Sequence, residues 1–346
     1  MADPLPSDVI ELDPEALDGQ ESALGDDSQS YTTSLKSSIL EYKYENGRRY
    51  HAEFKDKGTL AAHFVLRLLT PMPQAYYLPN DERELDRLDL YHHIVLLRCD
   101  GNLHLAPIGK SPQRILDIGA GTGIWAIEMA EMNPSAEIIG NDLSPVQPAF
   151  VPPNVKFEID DVEDDWLHST PFDYIHCRFM AGSLKNWPRL MQQAFQHTKP
   201  GGWVEFQDFE MRFYTHGGDF APGSPLDRWC DELIAGITGA GFDPEPGAKL
   251  KGWVEDAGFA NVTHRLLPIP TGTWPKDKKL KEIGVFDLVQ FLEGLEAISL
   301  RTLTQLRGWT AEEVQVLLAK LREELKNPRM RLQHNMHVVY AQKPLH

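Results

Sequence analysis

The sequence predicts an α/β fold: a mostly parallel, seven-stranded sheet with crossover helices, preceded by a helical layer and carrying a helical insertion near its C-terminal end. Three observations point there. From Arg114 onward, short apolar runs alternate with helical stretches, the pattern of consecutive strand–helix–strand units. A glycine-rich turn, Gly119-Ala120-Gly121-Thr122-Gly123, joins the first of these runs to a helix. The next run ends in Asp142, nineteen residues after Gly123, where a carboxylate reaches the ligand-binding edge of such a sheet.

Taken in chain order, residues 1–38 read as a disordered acidic tail. The first 35 hold nine carboxylates and no Lys or Arg, and such a segment buries too little apolar surface to order itself. Residues 39–107 are expected to form an N-terminal helical lid layer. Apolar residues recur there at helical spacing in Leu60-Ala61-Phe64-Leu68 and Leu85-Leu88-Tyr91-Val95, separated by the turn Pro71-Met72-Pro73. Residues 108–212 hold a Rossmann-like core, with strands expected at 114–118, 137–141, 156–159, 172–177 and 202–206 and helices starting near Gly121 and Trp187. Residues 213–346 are assigned to acceptor-side helices and the last strands of the sheet. The strands fall at 262–267 and 336–341, and the helices at 279–300 and 310–325, the second opened by a Thr310–Glu313 capping box. These two helices are expected to form a lid or a dimerisation layer.

Bulk properties exclude several classes. In 346 residues there is no apolar run near the ~18 that a membrane span needs. The formal charge is −17, and outside residues 1–35 the chain still carries 42 acidic against 34 basic side chains. Such a surface repels a phosphate backbone, and the only basic cluster is at 276–281, so nucleic acid is not an expected partner. The N-terminus lacks the features of a secretory or mitochondrial leader. Cys99, Cys177 and Cys230 are scattered, with no metal-ligand spacing; no metal is expected, and a reducing compartment, cytoplasm or nucleus, fits best.

The glycine turn carries the chemistry. Its spacing is G-x-G-x-G rather than G-x-G-x-x-G, and Asp117 stands two positions before the first glycine. A carboxylate there attracts a sulfonium and an ammonium group, whereas it repels a pyrophosphate. The indicated cofactor is therefore S-adenosyl-L-methionine, with Asp142 as the ribose anchor. The acidic run 160–165 is mostly a solvated loop, but Asp161 follows the third strand and is placed to accept from the adenine amino group while Val162 packs on the ring. Arg178 and Phe179 reach the same edge, to face the methyl donor or the substrate, or Arg178 pairs with the acidic loop. Phe209, Phe213, Tyr214 and Trp229, after the fifth strand, line an acceptor pocket or pack in the core.

LDIGAGTGIW, GNDLSPVQPAFVPPNVKFEIDDVEDDW, FDYIHCR, LKNWPRLMQQAFQHTKPGGWVEFQD and the upstream YENGRRYH together strongly resemble the fungal LaeA-like class I methyltransferases, from about Tyr44 to Tyr340. The resemblance implies a fungal source and cofactor contacts at Asp117, Gly119, Gly121, Asp142, Leu143, Asp161 and Val162, with Ala120 and Gly123 in the same turn and Arg178 beside it. It also suggests that Tyr50 and His51 close over the cofactor. The family is divided between enzymes that methylate small molecules of secondary metabolism and regulatory subunits of heteromeric protein complexes. The leading expectation is a methyltransferase with a small-molecule acceptor; the alternative is a regulator that binds a protein partner, with a homodimer also open. Candidate bases are His51, His92, His93 and His176, of which His51 and His176 are carried forward.

Overall fold

The computed structural model describes residue 10 and residues 43–45, 48–50, 79–216 and 221–346. Of the predicted tail only Ile10, which is buried, falls within these; the rest of it, His51 and the apolar pattern at 60–68 lie outside.

Two strands open the described chain, β1 (Lys43–Glu45) and β2 (Arg48–Tyr50), paired antiparallel. They correct the expectation of an all-helical layer: the intervening Asn46-Gly47 is the dipeptide that hairpin turns favour, a signal the helical spacing further along obscured. Arg48 grips Asp81 through two hydrogen bonds, Nε to Oδ2 at 2.5 Å and Nη2 to Oδ1 at 2.8 Å. Asp81 in turn caps α1 (Glu82–Arg98) by accepting from the Glu84 amide.

The core follows as β3 (Arg114–Ile118), α2 (Ile124–Met132), β4 (Glu137–Asp142), β5 (Val155–Ile159), β6 (Phe172–Arg178), α3 (Trp187–His197) and β7 (Thr198–Thr215). Next come α4 (Pro225–Gly239), α5 (Leu250–Asp256), β8 (Ala260–Pro270), α6 (Lys278–Arg301), α7 (Ala311–Lys326) and β9 (Leu332–Gln342). The seven strands run in the order β5-β4-β3-β6-β7-β9-β8. All pairs up to β7 are parallel; β9 is antiparallel to both β7 and β8. The reversal between β3 and its two neighbours, β4 and β6, places the ligand crevice beyond the carboxyl end of β3.

Buried residues on one side of the parallel strands, such as Leu116, Ile118 and Phe206, pack on α3 and α5. On the other side, Ile115, Ile138 and Tyr174 pack on Trp125 and Met129 of α2. A separate cluster joins α4, α6 and α7 with Phe213 and Leu332, beyond the parallel strands. The boundary drawn at residues 212/213 falls inside β7, which continues for 18 residues with a register shift between Phe209 and Phe213. Continued pairing with β9 carries the sheet into the C-terminal layer, so the two segments share one strand. Helix α4 was not foreseen, although Ser224-Pro225 before Asp227 is a helix start: the Ser224 hydroxyl accepts from the Asp227 amide. Thr310 and Glu313 form the expected capping box of α7. Among the described residues no helix is long and apolar enough to cross a membrane.

Candidate active site

The glycine turn leaves β3 with Gly119 and enters α2 through Gly123, which caps the helix at φ +81°. A side chain at Gly123 would be strained in that conformation and would run into the Phe157 ring. Backbone and carboxylate bonds lock the turn to β4: the Ala120 amide donates to the Asn141 carbonyl at 2.9 Å, and the Gly121 amide to Asp142 Oδ2 at 2.8 Å. Asp142 Oδ1 also accepts from the Ser144 amide at 3.0 Å. Burial nevertheless pushes the Asp142 carboxyl up to about 6.

A cleft opens here, with about 1060 Å³ of free space counting that open to solvent. The β3 turn contributes Gly119, Ala120 and Gly121 to its lining, and the end of β4 contributes Asp142 and Leu143. Asp161 and Val162 come from the loop after β5, and Arg178 from the end of β6. Asp117 and Gly123 are not part of the lining. Asp117, almost fully buried, accepts from His176 Nδ1 at 2.8 Å.

His176 does not reach the cavity. Its imidazole is 1% exposed and stacks on the Trp125 indole at 3.8 Å between centroids, and burial holds its pKa below the usual histidine value. It positions Asp117 from within the sheet rather than exchanging protons with a ligand. Arg178 does not turn to the acidic loop: its Nη2 donates to His92 Nδ1 at 2.8 Å, while His92 Nε2 lies 3.0 Å from Glu128 Oε2. With Nδ1 accepting, Nε2 carries the proton, and burial together with Arg178 pushes the His92 pKa down to about 3. His93 packs edge-on against Phe286.

Tyr50 is likewise away from the cavity. It is fully buried, its backbone bridges to Pro79, and its ring lies 4.2 Å from the Arg301 guanidinium. The same strand reaches the cavity by another route. The Arg49 Nη2 donates to the Asn80 carbonyl at 2.5 Å and Nε to Asn80 Oδ1 at 3.2 Å, and Asn80, a lining residue, donates to Ser144 Oγ.

A second cavity, with about 1020 Å³ of free space counting that open to solvent, adjoins the first and shares Leu88 and Phe179 with it. Phe209, Phe213 and Trp229 line it, together with Tyr91 from α1 and Phe291 from α6. Tyr214 does not; its hydroxyl donates to Glu210 Oε2 at 2.5 Å. Phe179, at the junction, holds φ +60°, a conformation rare for a bulky residue. It is held by its amide on the Gln207 carbonyl at 3.0 Å and by a stack on Tyr91 at 4.6 Å. Asp208 accepts from the amides of Met180 and Phe209 on either side, and burial pushes its carboxyl up to about 7. Among the described residues no cluster of His, Cys, Asp and Glu is arranged to hold a metal ion.

A sequence profile described as a methyltransferase domain matches residues 91–264. Methyltransferase pytC of Aspergillus terreus is 43% identical over 319 residues, 92% of this chain and 93% of that protein. The secondary metabolism regulator LAE1 of Cochliobolus heterostrophus is 36% identical over 78% of this chain and 90% of its own. The protein-methionine methyltransferase laeA of Emericella nidulans is 32% identical over 93% of this chain and 82% of its own. Glycine turn, strand-end carboxylate, the cavity they line and similarity over most of the chain converge: the chain belongs to the fungal LaeA-like class I S-adenosylmethionine-dependent methyltransferases.

Proposed function

We propose that the first cavity holds S-adenosyl-L-methionine and that the second holds a flat, largely apolar small-molecule acceptor. The observation that carries this is the junction of the two cavities at Leu88 and Phe179. The residues present fit the cofactor. Asp142, a half-buried carboxylate with two backbone donors and lone pairs to spare, suits two ribose hydroxyls. Asp161 suits the adenine amino group, and Leu143 and Val162 offer apolar surface to the ring. Arg178, held by His92, is a cation suited to the amino-acid carboxylate, and Asp117 adds negative charge behind the turn. When bound, the cofactor supplies an electrophilic methyl group on a sulfonium. The protein's part is to align donor and acceptor and to exclude water.

The second cavity argues for a small molecule over a protein segment. Its lining is mostly ring and aliphatic surface, where a peptide backbone would bury amides without partners. The three thiols, all free and buried, suit a reducing compartment such as the cytoplasm or nucleus. Calorimetry tests the cofactor site: adenosylhomocysteine should bind the folded protein and NAD should not. A folded sample that binds no adenosylhomocysteine at millimolar concentration would overturn the assignment.

A further inference from the structure

We infer that His334, oriented by Asp287, is the general base that removes the proton from a hydroxyl group on a flat aromatic acceptor. The proposal rests on the assignment of the two cavities given above. His334 lies on β9, 1% exposed, and lines the second cavity. Its Nε2 is 3.1 Å from Asp287 Oδ1 on α6.

The partners of Asp287 fix the tautomer. Thr271 Oγ1 donates to its Oδ2 at 2.5 Å, and Gln290 Nε2 donates to its Oδ1 at 3.2 Å. A carboxylate surrounded by donors is itself an acceptor, so His334 presents the proton on Nε2 and keeps a lone pair on Nδ1. No hydrogen-bond partner for Nδ1 is present among the described residues. The imidazole sits among Phe213, Phe291 and Tyr91, with Tyr91 stacked in turn on Phe179 at the cavity junction. A base, a carboxylate that orients it and an open nitrogen on a ligand cavity are the parts that proton abstraction needs.

The other titratable groups facing this space suit the task less well. Burial keeps the Tyr91 phenol, from α1, protonated well above its usual range. Arg87, on the same helix, is paired with Glu84 and with Gln290. Glu210, on β7, accepts from His337 at 2.8 Å, Tyr214 at 2.5 Å and Asn335 at 3.0 Å. Those donors hold its carboxyl below the usual range despite burial, which makes it a weak base. His337, on β9, is occupied by Glu210 and His264.

In the reaction, the acceptor oxygen forms a bond to the methyl carbon, and the carbon–sulfur bond breaks with its electron pair left on sulfur. The hydroxyl proton passes to His334 Nδ1, directly or through one water. The imidazolium that results is paired with the Asp287 carboxylate.

The test uses full-length protein, S-adenosyl-L-methionine and 2-naphthol as the acceptor probe, with adenosylhomocysteine affinity measured beside turnover. The parent should methylate 2-naphthol, and kcat should fall at low pH, where the base is protonated. His334→Gln should lower kcat by roughly 10²- to 10⁴-fold and remove that limb of the pH profile. Its affinity for adenosylhomocysteine should stay within about twofold of the parent's, which a merely structural role for His334 would not leave separable from turnover. Asp287→Asn should give a smaller loss in kcat. Imidazole nitrogen NMR on the parent keeps the test independent of variant folding: His334 should show protonated Nε2 and bare Nδ1, and its signals should move on addition of 2-naphthol. A protonated Nδ1, a His334→Gln variant with parental kcat and pH profile, or no transfer to 2-naphthol by a parent that binds adenosylhomocysteine, each overturns the proposal. A folded parent that binds no adenosylhomocysteine instead removes the cofactor assignment beneath it.

Discussion

The two cavities meet at Phe179 yet are built by opposite means. The first is made largely of backbone: a glycine turn, amides locked onto Asp142, and a few side chains at successive strand ends. The second is made of side chains, mostly aromatic, drawn from α1, β7, α4, α6 and β9. A backbone-built cavity keeps its shape while its surroundings change, so it suits a constant cofactor. A side-chain-built cavity can be re-lined by single substitutions without disturbing the strands, so it suits a variable acceptor.

Four substitutions probe this division. The largest effect expected is on stability, from a residue that lines neither cavity. Tyr50→Ala removes a fully buried ring under Arg301 and should cost about 3 kcal/mol, a clear drop in melting temperature, while adenosylhomocysteine affinity changes by less than about twofold. A large loss of affinity in a stable protein would put Tyr50 in the cofactor site after all. Asp142→Ala comes next. Each charge-assisted bond from ribose is worth on the order of 1.5–3 kcal/mol, so calorimetry should show affinity weakened by about tenfold or more.

Phe291→Ala should act only on the second cavity. Loss of its contacts is expected to raise the KM for a flat aromatic acceptor by about five- to tenfold, with cofactor KM unchanged. Matching changes in both constants would show that the cavities are not separable. The smallest effect concerns pH. The Asp142 carboxyl, ordinarily near 3.8, titrates near 6 in the folded protein, so the folded state holds this proton more tightly than the unfolded chain. Between those values its contribution to stability is lost as pH rises, and the full penalty is present above about 6. Asp142→Asn carries no such charge. In the unliganded protein, its melting temperature relative to the parent should therefore climb from pH 5 to pH 8, by an amount equivalent to about 1 kcal/mol.

How much of this was legible in the sequence follows from the same division. The glycine turn, Asp142, Leu143, Asp161 and Val162 lie just after strands whose apolar runs stand out, and a strand end in a parallel sheet has a known destination. Their placement around one cavity needed no knowledge of distant contacts. Tyr91 and Phe291 looked like ordinary apolar positions on helices, because only the packing of α1 against α6 turns them toward the same space. His334 did carry a signal: Leu332, His334, Met336 and Val338 alternate along β9, which puts an imidazole on a buried face. His176 gave the same signal, and there the structure supplies a packed Trp125 partner instead of a cavity. Alternation predicts burial in both cases; whether a void lies beside the ring depends on elements far away in sequence. Arg49 was hidden in a similar way, since its grip on Asn80 spans the hairpin and the start of α1.

The central claim is that donor and acceptor occupy adjoining cavities that meet at Phe179. A crystal structure of the protein with adenosylhomocysteine tests it most directly. The account predicts ribose hydroxyls on Asp142, the adenine amino group on Asp161 and the sulfur facing Leu88 and Phe179, open to the second cavity. A nucleoside bound away from Asp142, or a sulfur turned away from the Phe179 junction, would contradict it.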